Sequence, residues 1–348
     1  MKEKIIIAGP CSLESPEQLD YTARALDLSR IDYMRGGIWK PRTRPGNYEG
    51  VGAAGLEWFA QMKREHDVKI ITEVATAEQV DLVLKAGVDA VWVGARSTVN
   101  PFYVQQIADA LRGVDIPVFI KNPINPDLSL WIGAIERVRS SIAGETYAIH
   151  RGFSSFRKFK YRNQPQWTIP ISLMQHMPEL KIICDPSHIA GDQEVVHEVA
   201  QQAYDLQFDG LMVEIHPHPP QAKSDADQQL TPEHFMVMLD ELVIRQTELT
   251  SSLLNSKMTD LREQIDELDL DLVHLLAQRM RLSSTIGDIK AEESISILQP
   301  ERWKWIINRA RREGNKEQLS EEFIVALFNV IHEESINRQI DVMKNQKG

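Results

Sequence analysis

Short apolar runs alternate with longer amphipathic segments from residue 5 to about residue 245, and this alternation is the strongest constraint on the fold. Most of the runs are predominantly apolar, which is typical of parallel strands buried on both faces. The segments between the runs are predicted to be helices, and Ser15 and Thr76 stand where side-chain caps would begin two of them. Eight such units predict a (β/α)8 TIM barrel, with strands at 4–9, 32–37, 68–74, 89–95, 116–122, 146–152, 180–186 and 210–216.

The composition narrows the class of protein further. The chain has 348 residues, 43% of them hydrophobic, which is enough for a core in each of about two domains. A net charge of −11 argues against nucleic acid or an anionic membrane as the main partner. Two cysteines, Cys11 and Cys184, cannot form a disulfide framework, and no apolar run is long enough for an export signal or a membrane span. We therefore expect a cytoplasmic protein.

The pattern changes after Leu249, where the strand-like runs end. Residues 250–256 are predicted to be a polar linker between a barrel domain at 1–249 and an all-α domain at 257–348. The second domain is predicted to contain three helices, at about 257–291, 300–313 and 320–343, with breaks near Ser294–Ser296 and at Gly314.

The first helix of this second domain carries an apolar seam with Arg279 at one seam position. Such a seam needs a partner helix, which we expect from a second chain, so the three-helix domain is predicted to dimerise. The other seam positions alternate at four- and three-residue spacing, at Leu261, Ile265, Leu268, Leu272, Leu275, Leu282, Ile286 and Ile289.

Charge on this helix points to an anionic ligand. Arg279 and Lys290 are eleven residues apart, which places both cations on one face, whereas Arg262 lies about 100° from that face and would serve a neighbouring or partner-chain site. An arginine on an apolar seam is costly without an anion to pair with. The alternative is that Arg279 only sets the register of a plain coiled coil.

Two groups of polar residues follow the predicted strands, where barrel enzymes carry their active sites. The first group is cationic, which in an acidic protein indicates a phosphate or carboxylate ligand: Arg35, Lys40, Arg42, Arg96, Lys121 and Arg151. The second group offers a thiol, an imidazole and two carboxylates, which suit Zn, Mn, Fe or Co: Cys11, His188, Glu214 and Asp225. The alternative for Cys11 and His188 is ordinary packing.

Motifs spread over the whole barrel resemble those of 3-deoxy-D-arabino-heptulosonate 7-phosphate (DAHP) synthases, in the subgroup similar to 3-deoxy-octulosonate 8-phosphate synthase. They are AGPCSLES at 8–15, RGGIWKPRT at 35–43, GAR at 94–96, DPSH at 185–188, and VEIHPHP followed by Ser224-Asp225 and Gln229-Leu230. Lys-Pro-Arg-Thr at 40–43 favours the heptulosonate branch, and Cys11 matches the metal-dependent pattern.

The resemblance implies an aldol-like condensation of phosphoenolpyruvate with erythrose 4-phosphate. It implies that a divalent metal (Mn, Fe, Co or Zn) is held by Cys11, His188, Glu214 and Asp225. Arg42 and Thr43 would contact erythrose 4-phosphate. Phosphoenolpyruvate would be held by the catalytic Lys40 with Arg96, Lys121 and Arg151, supported by Arg35.

Residues 261–290 resemble the first helix of the all-helical chorismate mutases, and the resemblance extends over about 90 residues. It implies a Claisen rearrangement of chorismate to prephenate that needs no cofactor, in a dimer where Arg262 reaches into the partner's site. Gln299 and Trp303 stand where those enzymes carry acidic residues. The implied pocket consists of Arg262, Arg279, Lys290, Arg302, Ser335 and Gln339, of which Ser335 and Arg302 are binding residues and the others catalytic.

These observations predict a bifunctional shikimate-pathway enzyme that forms a homodimer or a larger oligomer through its helical domain. We also expect prephenate or chorismate to inhibit the synthase. Two alternatives for the helical domain stay open: a ligand-sensing module with little or no mutase activity, and a dimerisation clamp.

Overall fold

The computed structural model describes residues 4–42, 46–155, 160–246 and 252–345, and the chain divides into two units, Met1–Arg245 and Gln246–Gly348. The first unit is the predicted barrel. Its eight strands are parallel, pair in chain order and close because β1 pairs with β8. They are β1 (Ile5–Gly9), β2 (Tyr33–Arg35), β3 (Ile70–Val74), β4 (Ala90–Val93), β5 (Val118–Lys121), β6 (Thr146–His150), β7 (Lys181–Cys184) and β8 (Gly210–Glu214).

Alternation along each strand divides the core into two layers. One cluster, which includes Ile7, Trp92, Phe119 and Met212, fills the barrel interior. The neighbouring strand positions, such as Ala8 and Val91, belong to the larger cluster between the strands and the surrounding helices. Because both faces of the strands are buried, the polar side chains of the site concentrate at the strand ends and just beyond them.

Two of the helices around the barrel begin where the sequence predicts. The side chains of Ser15 and Thr76 accept hydrogen bonds from the backbone N–H groups of Gln18 and Gln79, which confirms both caps. The α-helices are Pro16–Ala25, Ala54–His66, Ala77–Lys85, Ala95–Thr98, Pro101–Ala110, Leu128–Arg139, Thr168–His176, Pro186–Ala190, Val196–Asp205 and Pro232–Glu241. Short 3-10 turns lie at Leu28–Arg30, Gln193–Val195, Pro219–Gln221 and Ala226–Gln228.

A buried histidine at the end of β6 makes the barrel sensitive to acid. His150 is fully buried against aromatic rings, including those of Phe153 and Trp167, and burial lowers its pKa to about 3. The unfolded chain binds this proton near pH 6.5, so stability present above that pH is lost as the pH falls, by about 2 kcal/mol at pH 5. His150→Phe is expected to reduce this loss in urea titrations of the barrel at pH 7 and pH 5. If His150→Phe loses as much unfolding free energy between pH 7 and pH 5 as the wild type does, His150 is not the cause of the acid sensitivity.

The second unit contains the three predicted helices, Ser252–Glu292, Pro300–Lys316 and Glu321–Asn345. The predicted linker at 250–256 is wrong from Ser252 onward, because the long helix already includes those residues. The segment contains neither Gly nor Pro, so nothing in it stops a helix. The predicted break at Gly314 is also wrong: the middle helix continues through it, and a side chain there would lie 2.6 Å from Ile324 Cγ1.

The apolar seam of the long helix is exposed in the single chain. Leu261, Leu268 and Leu275 are 52%, 63% and 61% exposed. Within the described residues, no helix combines the length and the apolar character that a membrane span requires.

Candidate active sites

The loops after β1 and β8 bring the predicted thiol and one predicted carboxylate together. The buried Cys11 follows β1, and its N–H donates to Gln229 Oε1 at 3.1 Å. A bridge between Ile215 and Leu230 closes the loop after β8, and Asp225 within it adopts a left-handed backbone with φ 49°. Cys11 Sγ thereby lies 3.3 Å from Asp225 Oδ2 and 3.2 Å from Lys40 Nζ.

The predicted imidazole and the second carboxylate form another pair. Asp185 caps the short helix that carries His188 and receives a hydrogen bond from its backbone N–H. The Asp185 carboxylate also lies 2.9 Å from His188 Nδ1, which turns Nε2 toward Glu214 Oε1 at 3.7 Å. A carboxylate on one ring nitrogen orients the other nitrogen as a ligand.

The donor set fits a transition metal, although its members form two close pairs rather than one tight cluster. Burial raises the pKa of the Cys11 thiol to about 12, with Glu214 adding to the effect and Lys40 opposing it. Burial also acts to raise the pKa of Glu214, but the positive groups around it, His188 and Arg35 first, hold that pKa below its usual range. A thiol, an imidazole and ionised carboxylates are the donors that Zn, Mn, Fe or Co take.

A different trio offers three donor atoms within 4.8 Å of one another in the described chain: Asp20, Glu65 and His66. It lies on the outer helices, where Asp20 is paired with Arg24 at 2.9 Å and with His66 at 2.9 Å. These contacts account for the approach of Asp20 and His66, and Glu65 accepts a hydrogen bond from Gln61 Nε2 at 2.9 Å.

Two of the predicted cations are buried at the top of the barrel. Arg35 is 1% exposed and donates to Glu214 Oε1 at 3.0 Å, but its Nε and Nη1 have no hydrogen-bond partner in the described residues. Lys121 donates to Asp185 Oδ2 at 2.6 Å, and burial lowers its pKa. Buried donors without a partner are costly, so a bound anion would stabilise this arrangement.

The remaining predicted cations lie further out. Arg151 donates to Asn163 Oδ1 at 2.9 Å, and its pKa falls to about 10 because it is buried. Arg42 and the exposed Arg96 line a pocket of about 380 Å³ together with Asp225 and Arg162. Thr43 lies outside the described residues.

Sequence reasoning missed several side chains that hold this site together. Arg162, in the loop after β6, donates to Asp225 Oδ1 at 2.8 Å and to Gln228 Oε1 at 2.6 Å. Asn163 accepts from Arg151 and donates to the carbonyl of His188 at 2.7 Å. The basic composition of the loop after Arg151 was the available signal, but it does not indicate which cation reaches the site.

In the second unit, all three helices contribute to one pocket that contains most of the predicted residues. Arg279 donates to Ser335 Oγ and, at 3.4 Å, to the carbonyl of Ile331. Lys290 is 8% exposed and donates to the carbonyl of Ile297 at 2.6 Å. The pocket of about 290 Å³ is lined by Arg279, Leu282, Ser283, Ile286, Lys290, Ile297, Gln299, Arg302, Trp303, Ile306, His332, Ser335 and Gln339.

Two further features of this pocket concern charge and stacking. Trp303 stacks on His332 with ring centroids 3.9 Å apart, and burial with the nearby Arg279 and Lys290 lowers the pKa of His332. Arg262 is exposed and does not line the pocket of its own chain.

A closed barrel whose rim gathers cations around a thiol, an imidazole and carboxylates defines an enzyme for anionic substrates. Residues 2–250 match the DAHP synthetase I family, and residues 261–340 match chorismate mutase type II. The chain therefore belongs to the DAHP synthetase I family and carries a type II chorismate mutase domain after the barrel. It combines these two shikimate-pathway enzymes in one polypeptide.

Individual relatives agree with both assignments. Phospho-2-dehydro-3-deoxyheptonate aldolase of Thermotoga maritima is 29% identical over 238 residues, 68% of each chain. A crystal structure of the DAHP synthase from Thermotoga maritima superposes with a TM-score of 0.61 at 28% identity, again over 68% of each chain. A chorismate mutase of Methanocaldococcus jannaschii is 29% identical over 85 residues, 24% of this chain and 86% of that protein.

Proposed function

We propose that the barrel rim condenses phosphoenolpyruvate with erythrose 4-phosphate and that Cys11, His188, Glu214 and Asp225 hold a divalent metal there. The proposal is supported by two close pairs of donors, Cys11 with Asp225 and His188 with Glu214, that lie beside the cations Lys40 and Arg35. The metal, when bound, supplies a Lewis acid for the aldehyde oxygen. Consumption of phosphoenolpyruvate that requires both erythrose 4-phosphate and a divalent metal tests this function.

The cations divide between the two substrates. Arg35 and Lys121 are buried deepest and would bind the carboxylate and phosphate of phosphoenolpyruvate, together with Lys40, Arg96 and Arg151. Arg42, which donates to the carbonyl of Tyr48 at 2.9 Å, would bind erythrose 4-phosphate with Thr43. Holding both substrates by their anionic groups places the enol carbon in line with the aldehyde, which is the entropic part of catalysis.

The helical pocket would rearrange chorismate by charge stabilisation alone. Arg279 and Arg302 match its two carboxylates, and Ser335 orients Arg279 through their hydrogen bond. Lys290 and Gln339 would stabilise the charge that develops on the ether oxygen. The reaction needs no nucleophile, metal or cofactor.

A homodimer would complete this pocket. The leucines of the exposed seam are each more than half exposed, and the seam is long enough to bury against a second copy. Arg262 would then reach the partner's pocket, since it does not line its own. Larger oligomers are compatible with the same contact.

Mixing two inactive variants tests the shared pocket. In a dimer of one Arg262→Ala chain and one Arg279→Ala chain, one pocket has both arginines and the other has neither. Random mixing is therefore expected to restore about a quarter of wild-type mutase activity. Chorismate absorbance after refolding the two variants together measures this, and no recovery would show that Arg262 does not act in the partner.

We also propose that prephenate bound in the helical pocket inhibits the synthase. The proposal follows from the fusion of an early and a late enzyme of one pathway in a single chain. Synthase turnover at saturating prephenate should fall in the wild type and not in Arg279→Ala. Unchanged wild-type synthase turnover would exclude this regulation. If prephenate inhibits the wild-type synthase but the wild-type chain has no mutase turnover, the alternative of a sensing module is favoured.

A further inference from the structure

We propose that Arg162, acting with Gln228, positions both carboxylates of the metal set and is therefore a positioning residue of the synthase. The inference rests on the proposed metal role of Cys11, His188, Glu214 and Asp225. The supporting observation is that, in each of the two carboxylates, the two oxygen atoms contact different neighbours.

In Asp225, the two oxygens face different partners. Oδ2 lies 3.3 Å from Cys11 Sγ and 3.6 Å from Arg42 Nη1. Oδ1 accepts a hydrogen bond from Arg162 Nη1 at 2.8 Å. Arg162 thus holds the oxygen that points away from the thiol and leaves the other oxygen beside a second proposed ligand.

Glu214 shows the same division. Its Oε1 lies 3.7 Å from His188 Nε2 and accepts from Arg35 at 3.0 Å, whereas its Oε2 accepts from Gln228 Nε2 at 2.6 Å. A glutamine amide can flip, but Arg162 donates to Gln228 Oε1 at 2.6 Å. Because a guanidinium only donates, it fixes Oε1 toward itself and presents the NH2 group to Glu214.

Gln228 and the backbone of Arg162 are well anchored, whereas the Arg162 side chain is 51% exposed. Gln228 is fully buried, and the backbone N–H of Arg162 donates to the carbonyl of Ala190 at 3.1 Å. Gly191, with φ 72°, leaves room for the arginine, because a side chain there would lie 2.3 Å from Arg162 Cβ. The same short helix end that carries His188 therefore also anchors Arg162.

A competing explanation predicts the opposite change in metal affinity when Arg162 is removed. If Arg162 only neutralised Asp225, removing it would leave a more negative site and tighten the binding of a cation. If it orients the carboxylates, removing it would weaken metal binding by roughly 10- to 100-fold, as for other groups that orient metal ligands.

The test is the affinity of the metal-stripped full-length chain for Mn²⁺, measured by electron paramagnetic resonance of the free ion. Arg162→Met and Gln228→Leu are expected to bind Mn²⁺ roughly 10- to 100-fold more weakly than wild type. Arg162→Lys keeps the charge without the fork of donors and should recover only part of the affinity. Lys160→Met, which removes a cation paired with Glu198 at 2.6 Å, is the matched control and should match wild type.

Unchanged or tighter Mn²⁺ binding in Arg162→Met and Gln228→Leu would overturn the proposal. If Arg162→Met does not fold, Arg162→Lys and Gln228→Leu decide it by the same criterion. Cys11→Ala tests the ligand set separately from the role of Arg162. If this substitution leaves Mn²⁺ affinity unchanged, the proposed ligand set itself is wrong.

Discussion

Replacing Arg279 with alanine is expected to lower chorismate turnover by about 1,000-fold or more, because the guanidinium is the cation fixed by Ser335 in the helical pocket. The synthase of the same chain should keep its activity, since Arg279 belongs to the second unit. Loss of chorismate absorbance and loss of phosphoenolpyruvate absorbance, measured on one preparation, check both statements.

Arg281→Ala is the matched control for this prediction. Arg281 lies two residues further along the same helix and is exposed, so its removal should leave chorismate turnover near wild type. Mutase activity retained in Arg279→Ala would instead mean that the seam arginine has a structural role, as in a plain coiled coil.

Cys11→Ala is expected to reduce the synthase by at least about 100-fold, because it removes the thiolate from the proposed metal set. The mutase of that variant should be unaffected. Cys184→Ala provides the control, because Cys184 is equally buried but packs in the layer between strands and helices. Equal losses in the two variants would show that Cys11 matters only for packing.

Adding metal to Cys11→Ala distinguishes a lost ligand from a disturbed core. If Cys11 is a ligand, saturating Mn²⁺ should restore part of the synthase in Cys11→Ala, because three donors remain. If the loss came from a disturbed core, no metal concentration would restore activity.

The barrel could be predicted from sequence because its strands are buried on both faces and read as uninterrupted apolar runs. The same argument located the site, since residues just after such runs share one rim. Arg162 and Gln228 could not be found in this way. Their contacts join loops 66 residues apart, and no local pattern encodes which polar loop residue bonds to which.

In the helical domain, too, the features that could be predicted from sequence are local ones. The apolar seam of the long helix predicts that helix and the shared face of Arg279 and Lys290, because periodicity is a local property of the sequence. The polar composition of residues 250–256 predicts a linker, but polarity alone does not stop a helix, and the long helix begins at Ser252.

We conclude that one chain carries two distinct catalytic sites, each with its own catalytic residues. The most direct test measures phosphoenolpyruvate and chorismate consumption by wild type, Cys11→Ala and Arg279→Ala. We predict that wild type consumes both substrates, that Cys11→Ala consumes only chorismate, and that Arg279→Ala consumes only phosphoenolpyruvate. A wild-type chain that fails to consume one of the two substrates, or a single substitution that abolishes both reactions in a folded protein, would contradict the account.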